Sequence, residues 1–398
     1  MKKAFLLPLL LLFCAVPADG QQDQYCQTAS SAIQEASSIR GLKIRHQIPC
    51  RVHDRNKVRN YLLRTIREKL PPERLKMEGL AYKLLGLVPP SFDYEHGIVD
   101  FYLSQIGGYY DPEKKHFVMA AWMPVMLQTT VAVHELTHGL QDQHYDLEKF
   151  MDMRLQNSDL LLARSALVEG DATCVMLDYM RKLTGQQPLS REKSVESFMM
   201  QNIIGASLMG GSATVPESIK LTVIFPYTSG VRFAHDLLRR GGYSELDRAF
   251  ARPPSSTEEI LHLEKYSAEK PDFVNITARE LRPADFPADS DIKYEDTLGE
   301  FVISTLLGSY ERNRKLAIQA AAGWGGDRLV LFARKADGKW RIVWRTKWDS
   351  ELDAREFFDT FLEILKVRSS SPEGFLNLID PQTVDFSCEI DLASNSCA

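Results

Sequence analysis

Residues 131–142, Val-Ala-Val-His-Glu-Leu-Thr-His-Gly-Leu-Gln-Asp, constrain this chain more than any other stretch. On a helix, His134 and His138 fall one turn apart on one face, the spacing two imidazoles need to hold a single divalent cation. Glu135 sits where its carboxylate reaches a water on that cation. Val131, Val133, Leu136 and Leu140 flank the polar groups, so the helix is expected to be buried, with its polar face on a cleft. Burying a His-Glu-His trio with no cation would be costly. The stretch therefore reads as the metal helix of a hydrolase.

A catalytic site needs a third protein ligand and an open position. His144 follows His138 by six residues, a spacing similar to that of the metzincin motif, but that motif has a glycine where Gln141 stands, so that the chain can turn back. Glu169 needs no such turn. It interrupts an apolar helix expected from about Ser158 to Leu183, and its helical neighbours Ser165, Ala166, Gly170, Ala172 and Thr173 are small. Small residues let another helix approach closely, and an apolar helix rarely carries an unpaired carboxylate. Glu169 is the favoured third ligand, and zinc the expected cofactor.

The chain is long enough for more than one folded unit, and at 44% hydrophobic and 25% charged residues it can bury a full core. A formal charge of −5 gives no reason to expect a nucleic acid or an anionic membrane as partner. Lys2 and Lys3, the apolar run from Ala4 to Val16, and Ala18-Asp19-Gly20 read as a cleaved secretion signal over residues 1–20. Phe13 before Cys14 is too large for a typical lipoprotein site. The mature protein is expected to be secreted or periplasmic, without stable membrane insertion. Export permits disulfides, and Cys26–Cys50 and Cys388–Cys397 are the expected pairs, with Cys174 a buried thiol. An alternative for Cys50, between Pro49 and Arg51, is a zymogen-type thiolate on the metal.

The expected fold class is α+β. Residues 21–95 read as a helical region, with amphipathic segments from Val58 to Ile66 and from Leu75 to Leu85. Residues 96–290 form a mainly helical catalytic domain with a small sheet. In it, Lys115 to Trp122 is either the edge strand that pairs with an extended substrate or an ordinary sheet strand. The Met-rich run 197–212 is expected in the core, and Pro226 to Gly230 opens a helix from Val231 to Arg240. Residues 291–398 form a C-terminal α+β region. It has helices through 298–307 and to Ala322, a glycine-rich turn at 323–327, a hairpin joined at Asp337-Gly338, and a last helix from Ser350 to Leu365.

His134-Glu-Leu-Thr-His138 with Asp142 four residues on resembles the thermolysin-type metal helix, and Glu-Gly-Asp-Ala at 169–172 resembles the glutamate-ligand segment of gluzincin peptidases. Pro-Tyr227-x-x-Gly is similar to the aminopeptidase segment that offers a tyrosine to the oxyanion. The combination also resembles a group of exported bacterial proteins, taken to be metalloproteases, that carry HELTH and EGDAT segments. The resemblance implies a zincin-like domain, zinc on His134, His138 and Glu169, Glu135 as base, Tyr227 as oxyanion donor and a polypeptide substrate. It implies that Asp142 braces the site. The chain departs from the pattern in its longer interval between His138 and Glu169, and in placing Asp171 two residues after the glutamate instead of four. The partner of the first histidine is left open, with Asp171 a candidate, and His235 has a lower claim on catalysis. The expected reaction is peptide hydrolysis by a zinc-bound water. A structural zinc in a non-catalytic binding protein, or hydrolysis of a cell-wall amide, are the rivals.

Overall fold

The computed structural model describes residues 26–398 apart from 72, 156, 200–214, 269–272, 289, 311–313, 369–373 and 398. The expected leader and most of the Met-rich run lie outside the described residues. The chain folds as α+β. No helix among the described residues is long and apolar enough to cross a membrane.

The N-terminal part supplies α1 (Ala29–Arg40), β1 (Cys50–His53), α2 (Arg55–Lys69), α3 (Arg74–Leu85) and α4 (Tyr94–Gln105). Asp54 and Asp93 start α2 and α4 by accepting the backbone N–H groups of Lys57 and His96, donors that a helix N-terminus otherwise leaves unpaired. β2 (Gly108–Asp111) and β3 (His116–Ala120) complete a three-stranded sheet of order β1-β3-β2, with β1 parallel and β2 antiparallel to β3. The strand expected as a possible edge is therefore the central one. It is apolar on both faces (Phe117, Val118 and Met119 are fully buried), which suits a strand covered by helices and neighbours alike. The edges are β1 and β2.

Two long helices follow, α5 (Val125–Tyr145) and α6 (Ser158–Leu183), and then α7 (Glu217–Gly241). α5 buries Ala132, Val133, Leu136 and Leu140 against Ala32, Ile33 and Ala36 of α1, Phe117 and Met119 of β3, and Val175 of α6. The expected start of α7 at Pro226 is wrong: the helix runs through the proline. Proline normally breaks a helix by removing an N–H and crowding a carbonyl. Here Phe225 on one side and Val231, Phe233 and Ala234 on the other are all buried against α6, and that packing holds the two halves in line.

The C-terminal part contains β4 (Asp291–Asp296), α8 (Gly299–Gly308), α9 (Arg314–Ala321), β5 (Trp324–Ala333), β6 (Trp340–Trp348), α10 (Glu351–Arg368), β7 (Leu376–Asp380), β8 (Thr383–Asp391) and β9 (Ser396–Cys397). Its antiparallel sheet has the order β4-β5-β6-β8-β7, with β9 on β8. The expected hairpin is β5–β6, closed by a left-handed Gly338. The expected turn at 323–327 is instead the bulged start of β5. A Cβ at Gly326 would lie 2.4 Å from the Val274 carbonyl oxygen, so the glycine serves a close backbone approach. Asp327 beside it is buried and accepts the indole N–H groups of Trp324 and Trp344 and the backbone N–H groups of Leu298 and Gly299. The largest apolar core joins this sheet and α10 to Leu80, Leu84, Leu85 and Tyr94 of α3 and α4, so residues 74–101 pack with the C-terminal sheet.

Both expected disulfides are present, Cys26–Cys50 and Cys388–Cys397, and Cys174 is a buried free thiol. Cys50 is thus bonded to Cys26, which removes the zymogen-thiolate alternative.

Candidate metal centre

The centre is built where three helices meet. α6 and α7 cross with their backbones almost in contact: a Cβ at Gly170 would lie 2.2 Å from Gly230 O, and one at Gly230 would lie 2.2 Å from Ala166 O. Only glycine fits at either position. The crossing sets Glu169, next to Gly170, beside Tyr227, three residues before Gly230. α5 packs against α6 from another side and brings up its histidine face.

There, His134 Nε2 lies 3.1 Å from Glu169 Oε2 and 3.1 Å from His138 Nε2, while His138 Nε2 lies 3.4 Å from Glu169 Oε2. A four-coordinate cation bonded to nitrogen and oxygen at about 2.0–2.1 Å keeps its ligand atoms roughly 3.3 Å apart. The observed spacing fits that requirement. Among the described residues these three form the one group of histidine, cysteine or carboxylate side chains able to hold a metal ion. The histidines are 9% and 8% exposed, so the donor atoms are largely shielded from solvent. Burial opposes charge on Glu169, but His138 and His134 outweigh it and hold the carboxyl far below its usual range. The counterpart holds for His138: burial disfavours its charge, yet Glu169 carries its pKa up to about 9.

Glu135 stands on the same turn of α5. Burial raises its carboxyl above the ordinary range, against the pull of His134 and His138, and the Tyr110 backbone N–H bonds to it. β2 therefore runs past the carboxylate, and a Cβ at Gly108 would come within 3.4 Å of Glu135 Cγ. The Tyr227 hydroxyl bonds to Glu169, and its ring lies 6.3 Å from that of His134. Burial and Glu169 together keep the phenol protonated by raising its pKa well above the usual tyrosine range. Tyr102 of α4 lies close enough to feel the charge of Glu169.

The bracing of the site differs from expectation. Asp142 touches neither histidine; it accepts from the Tyr110 hydroxyl at 2.7 Å, Lys115 Nζ at 2.9 Å and the Leu147 N–H. Placed four residues after His138, it turns toward β2 and the β2–β3 turn, tying the sheet to α5. The brace on His138 is Gln141, whose Oε1 accepts the Nδ1 proton at 2.8 Å. Gln141 Nε2 donates to Val168 O and to Asp171 Oδ2, and Asp171 in turn takes Arg40 of α1 in an ion pair with both side chains 0% exposed. Asp171 thus acts on the second histidine through Gln141, not on the first. His134 Nδ1 is buried without a hydrogen-bond partner.

His144 is not brought to the centre: α5 continues past Gln141, and His144 Nε2 contacts the Lys43 carbonyl instead. His235 is buried against the Leu189 carbonyl, outside the metal group. Gln141 was legible in principle, since it sits three residues from His138 on the same helix face. Arg40 carried no sequence signal, being one of 48 basic residues.

A family model described as a domain of unknown function, DUF8575, matches residues 290–387. The match begins one residue before β4 and ends within β8, so it covers most of the C-terminal sheet and none of the metal centre. No curated protein and no solved structure matched the chain.

Proposed function

We propose that the chain is an exported zinc metallopeptidase of the gluzincin type. The observation that carries this reading is the convergence of His134 Nε2, His138 Nε2 and Glu169 Oε2 at tetrahedral ligand spacing, with a raised carboxyl, Glu135, on the adjoining turn. His134, His138 and Glu169 would hold the cation. Bound there, zinc would supply Lewis acidity toward a water and the carbonyl it attacks.

The chain's own groups account for the remaining work. Glu135 would take the proton from the attacking water and return it to the leaving amine, a role that suits a carboxyl whose pKa lies above the ordinary range. Tyr227 stays protonated at neutral pH and so has a hydrogen to offer a developing oxyanion. Gln141 fixes the His138 tautomer, leaving Nε2 free as a donor to the cation. Among the described residues β2 has no strand on its outer side, and it passes Glu135, which supports an extended polypeptide lying along it by main-chain pairing. Two disulfides fit an oxidising, extracytoplasmic compartment, in keeping with a secreted or periplasmic protein.

The test is a peptide-library digest with the zinc-loaded full chain and its Glu135→Gln variant. The variant is expected to keep its zinc and lose hydrolysis by several orders of magnitude. Equal turnover by both proteins would remove Glu135 as the base, and zinc without any exchangeable solvent would favour a structural site.

A further inference from the structure

The net negative charge conceals a locally basic segment, although Arg59, Arg64 and Lys69 within it pair with carboxylates. Between residues 43 and 69 there are nine lysines and arginines and two acids. β1 and β3 run parallel, so their C-terminal ends emerge together, joined by the Ala121 N–H bond to His53 O at 2.9 Å. α2 therefore starts beside the loop that leads into α5, and the Arg55 guanidinium lies 4.6 Å from the centre of the Trp122 ring. At this end Arg51, Arg55 and Lys57 are exposed and have no acidic ion-pair partner among the described residues. The nearby acid, Asp54, is engaged by the Lys57 backbone N–H.

The loop carries a second feature at the same place. Val125, Met126 and Leu127 are 70%, 85% and 47% exposed, three consecutive apolar side chains where α5 begins. A side chain 85% exposed has almost nothing packed around it, which describes a protrusion and not a groove waiting for a partner helix. Apolar side chains projecting from a cationic surface are the arrangement that binds a lipid interface, with apolar groups below the headgroups and cations among them. A second copy of the chain is disfavoured as the occupant, because a two-fold contact would set Arg51, Arg55 and Lys57 against their own counterparts.

We infer that this end of the molecule, with Val125, Met126 and Leu127 as the inserted tip and Arg51, Arg55 and Lys57 as the headgroup contacts, docks the protein peripherally on an anionic phospholipid bilayer. The tip sits on the metal helix itself, nine residues before His134, about 13 Å along the helix axis. Docked this way, the cleft would lie near the bilayer surface, within reach of membrane-proximal polypeptide. The docking is a property of the surface and does not depend on hydrolysis.

Co-sedimentation of the full chain with two sets of vesicles tests it, one of phosphatidylcholine alone and one of equimolar phosphatidylcholine and phosphatidylglycerol. The protein should pellet with the second set, not the first, and less as salt rises. Met126→Ser together with Leu127→Ser should weaken binding about tenfold or more, as should Arg55→Gln with Lys57→Gln, while zinc affinity and melting temperature stay unchanged. Met126→Trp should blue-shift its emission on the anionic vesicles. Failure of the unaltered chain to bind overturns the inference, as does equal binding to both vesicle sets. Anionic binding indifferent to the apolar substitutions, or loss of self-association in their place, overturns it too.

Discussion

Gln141 links His138 to α6: its side chain accepts from His138 Nδ1 at 2.8 Å and donates to Asp171 Oδ2 at 2.9 Å. The residue at the position where another zinc-site architecture needs glycine is here a fully buried hydrogen-bond relay. Gln141→Leu keeps the volume near constant and removes these two bonds and the one to Val168 O. Zinc affinity should fall about 10–100-fold, the usual cost of losing an orienting partner. Competition against a chromophoric chelator measures it, and an unchanged affinity would show that packing alone orients His138.

The far end of the relay is Arg40, on the helix that follows the disulfide-stapled N-terminus. Arg40→Met leaves Asp171 as a buried charge without its partner, a loss worth about 3–5 kcal/mol. Urea unfolding should report a destabilisation of that order, together with weaker zinc binding. The result would mean that the segment from Cys26 to Arg40 belongs to the folded metal centre and is not a removable cover.

Tyr227 has two tasks that one substitution can separate. Its hydroxyl bonds to Glu169, so Tyr227→Phe should loosen zinc if the phenol mainly steadies the ligand. If it serves the oxyanion, kcat should fall roughly 100-fold with zinc affinity and KM preserved, the scale seen when one oxyanion donor is lost. Metal titration alongside steady-state kinetics on the same preparation distinguishes the two.

The group of three candidate ligands was legible because its chemistry conflicts with its surroundings. Two histidines one turn apart and a lone carboxylate among small residues on an apolar helix have few uses besides a metal. The hairpin and the disulfides were legible for similar reasons, since Gly338 and cysteines that can pair leave local signals. The strand order was not. Whether β3 or β2 forms the edge depends on β1, a four-residue strand from a segment that reads as helical. Pro226 misled because a proline's local cost is visible, whereas the burial that outweighs it comes from α6, more than forty residues away in sequence. The roles of Asp142 and Gln141 were hidden for the same reason: both lie on α5, and the partners that decide those roles, Tyr110 of β2 and Asp171 of α6, lie on other elements.

The central claim is that one cation is held jointly by α5 and α6, and a zinc titration of the purified chain beside Glu169→Ala and His144→Ala addresses it most directly. Binding of one zinc per chain is predicted, weakened by at least about 100-fold in Glu169→Ala and unchanged in His144→Ala. Zinc held as tightly without Glu169 as with it, or no zinc bound by the unaltered chain, would contradict the account.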